Sequence, residues 1–255
     1  MEGFIKFIGT GGARIVVAKQ VRSTGGLWLN YRNTNVYIDP GPGALVRVHA
    51  SRDHLEPSRL DGIILTHKHL DHANDINVMA EAMTEGGLKR KGVLFCPRDA
   101  IEEDPVVLRY VRDYVERTEV LKANGVYAVK DIEFEVPVRH IHPVEAYGLM
   151  FGLNKKIGLI TDTRFFEELP DFYCPVDVLI VNVLRVKPIL PDDRIDHLSL
   201  ADFKEIIVRI RPKIAIMTHF GMSIIKEKPY LLAKSLKQET GLEVVAAYDG
   251  MRFDF

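Results

Sequence analysis

The chain has 255 residues, 47% of them hydrophobic and 27% charged, which suits one large globular domain with a sizeable core. Lys plus Arg number 34 and Asp plus Glu 35, so the formal charge of −1 gives no bulk attraction to nucleic acid or anionic lipid. No run of about 18 apolar residues argues for a membrane span, and no basic, apolar leader opens "MEGFIKFIGTGGARIVV". The two cysteines, Cys96 and Cys174, lie far apart and form no Cys-x-x-Cys, as expected of reduced thiols in a cytoplasmic protein.

The first forty residues read as short strands between glycines: "GFIKFIGT", "ARIVVAK", "LWLNY" and "NVYIDPGPG". "DGIILT" is an apolar run bounded by turn signals, as a buried strand would be. "NDINVMAEAMTEGG" sets Ile76, Met79, Ala80 and Met83 at helical spacing before Gly86-Gly87. "GVLFC" follows as a strand, and "PRDAIEED" opens a short helix at Pro97. Then come "YAVKDIEFEVPVRHIH", "AYGLMFGL", "KIGLITDT", "VDVLIVNVL" and "KIAIMTHF", all strand-like. "SLADFKEIIVRIRP" is an amphipathic helix capped by Ser199 and stopped by Pro212. A last helix around Pro229 precedes the strand "LEVVAAYDG". The first half therefore reads as mostly strand and the second as alternating strand and helix, without linker or repeat. One layered α/β domain over residues 1–255 is expected.

Within "ILTHKHLDHAND" (Ile64 to Asp75), three of the nine histidines and an aspartate occupy six consecutive positions. In extended chain His67 and His69 project to one side, and Asp71 and His72 follow as the chain turns into a helix. Neutral imidazoles and carboxylates this close suit zinc, manganese or iron, and four such groups could serve two ions.

This stretch resembles the signature of the metallo-β-lactamase superfamily, His-x-His-x-Asp-His, standing here as His67-Lys68-His69-Leu70-Asp71-His72. "DPG" at Asp39, "HPVEAYG", "LITDT" and "THFG" resemble the superfamily's later motifs in their usual order, so the likeness spans most of the chain. It implies a four-layer αβ/βα fold, two sheets sandwiched between helices. It also implies two divalent metal ions, zinc with manganese or iron as alternatives. His67, His69 and His142 would hold one; Asp71, His72 and His219 the other; Asp162 would bridge them. His140 is the rival for the role given to His142, which the six-residue step to Gly148 favours. Asp39 is expected to orient a ligand histidine. His49 and His54 are expected to be exposed and uninvolved.

Such a metal pair would activate water, and no Ser–His–Asp or Cys–His arrangement competes with it. Asp71 and His197 are the expected catalytic residues. His197, in "IDHLSLADF", resembles the extra histidine of the superfamily's phosphodiesterase branches, which include tRNA 3′-processing endonucleases and phosphonate-pathway cyclic phosphodiesterases. It would protonate the leaving alkoxide or stabilise charge on phosphate. The acidic residue that usually supports it is replaced by Asn182. Too few residues separate His142 from Asp162 for a tRNA-gripping arm. The expected substrate is therefore a small-molecule or nucleotide phosphodiester, with Arg22, Ser23, Arg164 and Arg185 as candidate contacts. The rivals are a lactone, thioester or β-lactam hydrolase, a non-haem iron oxidoreductase, and a metal-bound module without catalysis. Oligomeric state stays open, a homo-oligomer included.

Overall fold

The computed structural model describes residues 2–102, 104–188 and 196–255. One sheet contains β1 (Gly3–Phe7), β2 (Leu27–Tyr31), β3 (Thr34–Ile38), β4 (Gly62–Ile64), β5 (Val93–Cys96) and β6 (Arg117–Val120). The other contains β7 (Gly125–Val129), β8 (Ile132–Val136), β9 (Leu149–Gly152), β10 (Lys156–Ile160), β11 (Val178–Asn182), β12 (Ile214–Thr218) and β13 (Val244–Ala246). The last strand, β14 (Arg252–Asp254), returns to pair with β1. The orders are β14-β1-β2-β3-β4-β5-β6 and β13-β12-β11-β10-β9-β8-β7.

Period-two alternation explains the layering. Ile5, Phe7, Val36, Ile38, Val93 and Phe95 from the first sheet meet Phe134, Phe151, Ile157, Leu159, Ile180 and Ile216 from the second in a shared core. The intervening residues face outward under helices: Tyr37, Ile63 and Leu94 on one side, Ile160, Leu179, Val181 and Met217 on the other. Central parallel strands are buried on both faces, which is why "VLIVN" is continuously apolar up to its last residue. Each buried large side chain contributes on the order of 2 kcal/mol.

The helices are α1 (Ala13–Lys19), α2 (Ala44–His49), α3 (Leu70–Ala73), α4 (Ile76–Met83), α5 (Arg109–Arg112), α6 (Leu200–Ile210), α7 (Met222–Lys226) and α8 (Pro229–Thr240). α6 starts on a reciprocal capping box between Ser199 and Asp202. Several expectations fail. "ARIVVAK" is α1 and not a strand: β-branched residues invite the strand reading, but only Val16 is buried and Ile15 is 59% exposed. The first half holds five helices among its strands, and "PRDA" makes one 3-10 turn. β6 and β14 went unread because they contain no buried residue to give a pattern. Among the described residues no helix is long and apolar enough to cross a membrane.

Candidate metal centre

The parallel strands β3, β4, β10, β11 and β12 all point their C-terminal ends to one rim, where loops can converge. After β4 the chain passes through Thr66 and turns into α3, where His72 and Ala73 both donate backbone N–H groups to the carbonyl of His69. That tight turn delivers His67, His69, Asp71 and His72 together. His142 arrives from the loop before β9, Asp162 just after β10 and His219 just after β12.

Two groups of ligand-type side chains result. His67, His69 and His142 form one, and Asp71, His72, Asp162 and His219 the other, each with donor atoms within 4.8 Å of one another. His142 Nε2 lies 2.9 Å from His69 Nδ1, and His72 Nε2 lies 2.9 Å from His219 Nε2. Asp162 Oδ2 sits between the groups, 3.6 Å from His67 Nε2 and 3.4 Å from His72 Nε2.

The donor set fits divalent cations. Among the described residues, the buried atoms His67 Nε2, Asp162 Oδ2 and His219 Nδ1 have no hydrogen-bond partner. Leaving such atoms unsatisfied costs roughly 1–3 kcal/mol each, and cations held by the two groups would relieve them. Burial, reinforced by the His72 ring, holds His67 well below the ordinary histidine range. Burial likewise lowers His69 and pushes His142 down to about 4, keeping these imidazoles neutral as ligands must be. Burial would raise Asp162, but His219, His197 and His72 override it and hold the carboxyl well below its usual range. Asp71 follows the same pattern under His72 and His219. Burial would lower His72, yet Asp71, Asp162 and Asp39 raise it well above the ordinary value, so negative charge awaits a cation there.

Supporting contacts fix these side chains. Asp39 takes hydrogen bonds from Thr66 N and Thr66 Oγ1, both at 2.7 Å, and from His72 Nδ1 at 2.9 Å. Ala13 N donates to Asp71 Oδ2 at 3.0 Å. Gly12 must lack a side chain, since a Cβ there would lie 2.1 Å from His219 Nδ1. Ala13, Asp39 and His219 all have left-handed backbone (φ 61°, 54° and 59°), at roughly 1 kcal/mol or more apiece.

The remaining expectations divide. His140 is 3% exposed and bonds Tyr173 and Thr161, away from both ligand groups. His49 and His54 are exposed. His197 does enter the centre, with Nδ1 3.3 Å from Asp162 Oδ2. Asn182 Nδ2 donates to Asp162 Oδ1 at 2.8 Å, because β11 lies directly beside β10. Arg22 Nη1 bonds Thr10 Oγ1 at 2.8 Å, and buried Ser23 gives its backbone N–H to Asp249, so both brace the Gly9–Gly12 loop. Arg164 Nε pairs with Asp196 Oδ1 at 2.7 Å, while the Asp196 carbonyl accepts from His142 Nδ1 at 2.9 Å. Arg185 is half-buried and pairs its backbone with the Ser199 segment. Sequence reading missed Asp249, which accepts from Thr10 N, Thr10 Oγ1 and Ser23 N. "YDG" carries only a turn signal.

The profile of the family described as "Beta-lactamase superfamily domain" matches residues 34–220. The chain belongs to this family. Its fold is the metallo-β-lactamase fold, two mixed sheets flanked by helices. The Methanocaldococcus jannaschii protein MJ1374, described as uncharacterized, is 29% identical over 260 residues, spanning 98% of this chain and 94% of that one. The metallo-beta-lactamase fold protein YhfI from Bacillus subtilis superposes with a TM-score of 0.80 at 17% identity, over 99% of each chain. A diphosphatase of the PhnP family superposes with a TM-score of 0.75 at 19% identity, over 100% of this chain and 98% of that one. At such identities the two structures speak for the fold. Members of the superfamily are generally hydrolases, and the His/Asp cluster could hold the metal such chemistry uses.

Proposed function

We propose that the protein is a metal-dependent phosphodiesterase acting on a small or cyclic phosphodiester, with His197 as proton donor. His67, His69 and His142 would hold one divalent ion and Asp71, His72 and His219 a second, with Asp162 between them; zinc suits these donors best. Bound there, such ions would polarise a phosphoryl oxygen and lower the pKa of a coordinated water toward neutrality.

The observation that carries the reading is the placement of His197. Its Nδ1 faces Asp162, its ring stands 5.2 Å from His142 and 6.0 Å from His219, and its side chain is 15% exposed, at the mouth. With Nδ1 turned toward Asp162 Oδ2 at 3.3 Å, the Nε2 edge of the ring points away from that carboxylate. Water gives up a proton to solvent as its oxygen adds to phosphorus, and the P–O bond to the departing oxygen breaks. Protonated His197 gives its Nε2 proton to that oxygen and recovers one from solvent. The PhnP-family likeness is in keeping with this chemistry. The β9–β10 hairpin between His142 and Asp162 leaves no room for an arm on a large substrate.

The test is hydrolysis of bis(p-nitrophenyl) phosphate by protein loaded separately with zinc, manganese and iron, with a thioester and a lactone in parallel. His197→Ala should retain its metal yet lose about 10²–10⁴-fold in diester turnover. Turnover confined to the thioester or lactone, or iron-dependent oxygen uptake, would sink the proposal.

A further inference from the structure

His140 lies at the junction of three elements and touches none of the ligand donors. Its Nε2 is 2.9 Å from the Tyr173 hydroxyl and its Nδ1 3.2 Å from Thr161 Oγ1, with His140, Tyr173 and Thr161 all essentially buried. The proton positions follow by elimination. Thr161 donates its hydroxyl hydrogen to the Tyr147 carbonyl at 2.7 Å, so toward His140 it can only accept. Nδ1 therefore carries hydrogen, and the buried Tyr173 hydroxyl, whose one hydrogen-bond partner among the described residues is Nε2, donates to it. Gly148 makes room for this arrangement: a Cβ there would fall 1.7 Å from the Tyr173 hydroxyl and 2.7 Å from His140 Nε2.

The network continues into the other sheet. Tyr147 N donates to the Thr66 carbonyl at 3.1 Å, and Thr66 holds Asp39, which holds His72. Thr161 directly precedes Asp162, and His140 is two residues from His142. We infer that His140, with Tyr173 and Thr161, is an uncharged positioning hub that sets Asp162 and His142 against the ligands of the opposite sheet. This rests on the metal-centre reading above. An imidazole suits the task because it is a donor and an acceptor on opposite edges, and a hub here aligns ligands from two separate sheets without contributing one itself.

Cobalt(II) titration of the metal-free protein tests it, with affinity taken from chelator competition and site geometry from the visible spectrum. Tyr173→Phe removes one oxygen atom; His140→Ala removes the hub; His140→Asn returns an amide nitrogen where Nδ1 stood. Wild-type stoichiometry should persist in all three, with affinity lowered by about 10–100-fold in His140→Ala. Tyr173→Phe should also shift the spectrum, and His140→Asn should recover part of the loss. Wild-type affinity and spectrum in both Tyr173→Phe and His140→Ala would overturn the hub. So would loss of a whole cobalt equivalent in His140→Ala alone, which would make His140 a ligand. If His140→Ala fails to fold, Tyr173→Phe decides. A wild-type protein that takes up no cobalt would remove the metal centre itself, and the hub with it.

Discussion

The two halves of the centre are built in opposite ways. The Thr66–Ala73 turn delivers four side chains from one short piece of chain, held by its own backbone bonds to His69. The other half takes His142, Asp162 and His219 from three separate loops of the second sheet, and their alignment depends on the parallel register Ile160↔Val181 and Asn182↔Thr218. The first half is local geometry and tolerates small shifts of the sheet beneath it. The second is a tertiary assembly, and each member needs its own brace. Perturbations of the braces should therefore hurt the second half more.

The largest expected effect is at Gly12. The loop it belongs to is stitched to the His219 segment, Gly12 N to Phe220 O at 3.2 Å and Phe220 N to Thr10 O at 2.7 Å. Gly12→Ala puts a methyl 2.1 Å from His219 Nδ1, between a backbone that cannot yield and a ring already in left-handed backbone. The variant should fold, keep the His67–His69–His142 group and lose the second metal equivalent, as read by elemental analysis. Two equivalents at wild-type affinity would show that the second half tolerates displacement as well as the first.

Asp39→Asn comes next and probes the first half. Asp39 accepts three hydrogen bonds, and an amide can accept at one end only, so either Thr66 or His72 loses its partner. Metal affinity should fall by about 10–100-fold with stoichiometry intact. A loss of His72's metal outright would mean that the turn is not self-sufficient.

This asymmetry also set what the sequence could reveal. Residues 67–72 were legible because a turn writes its geometry into adjacent positions. His142, Asp162 and His219 were legible only as polar residues at the ends of apolar runs. His140 and His142 could not be separated by alternation, because the chain there is irregular and not a strand: His140 N bonds Ala146 O while Arg139 bridges Tyr147. Only tertiary packing shows that Asn182 donates to Asp162 and that Arg22 and Ser23 are tied into the glycine loop, contacts that sequence spacing does not carry. The layered fold was readable from strand periodicity; α1 was not, because its β-branched residues obey exposure on one side and not propensity.

The smallest expected effect compares the outer layers behind the two halves. Cys96 ends β5 under the helices of the first sheet, fully buried, and burial pushes its thiol up to about 12. Cys174 follows Tyr173 on the second side and is exposed. At pH 8.5 the folded protein should take one equivalent of an alkylating reagent, at Cys174, because Cys96 holds roughly a thousandfold less thiolate than a free thiol. The raised value also fixes the sign of its effect on stability. The folded state keeps a proton that the unfolded thiol gives up, so this contribution is complete below the unfolded thiol's pKa and declines as pH rises toward about 12. Cys96→Ala should flatten the alkaline loss by up to about 1.4 kcal/mol per pH unit. If Cys96 labels as fast as Cys174 in the metal-free protein but not in the loaded one, the layer behind the self-contained turn is opening locally, and the metals, not the turn, hold the first half together.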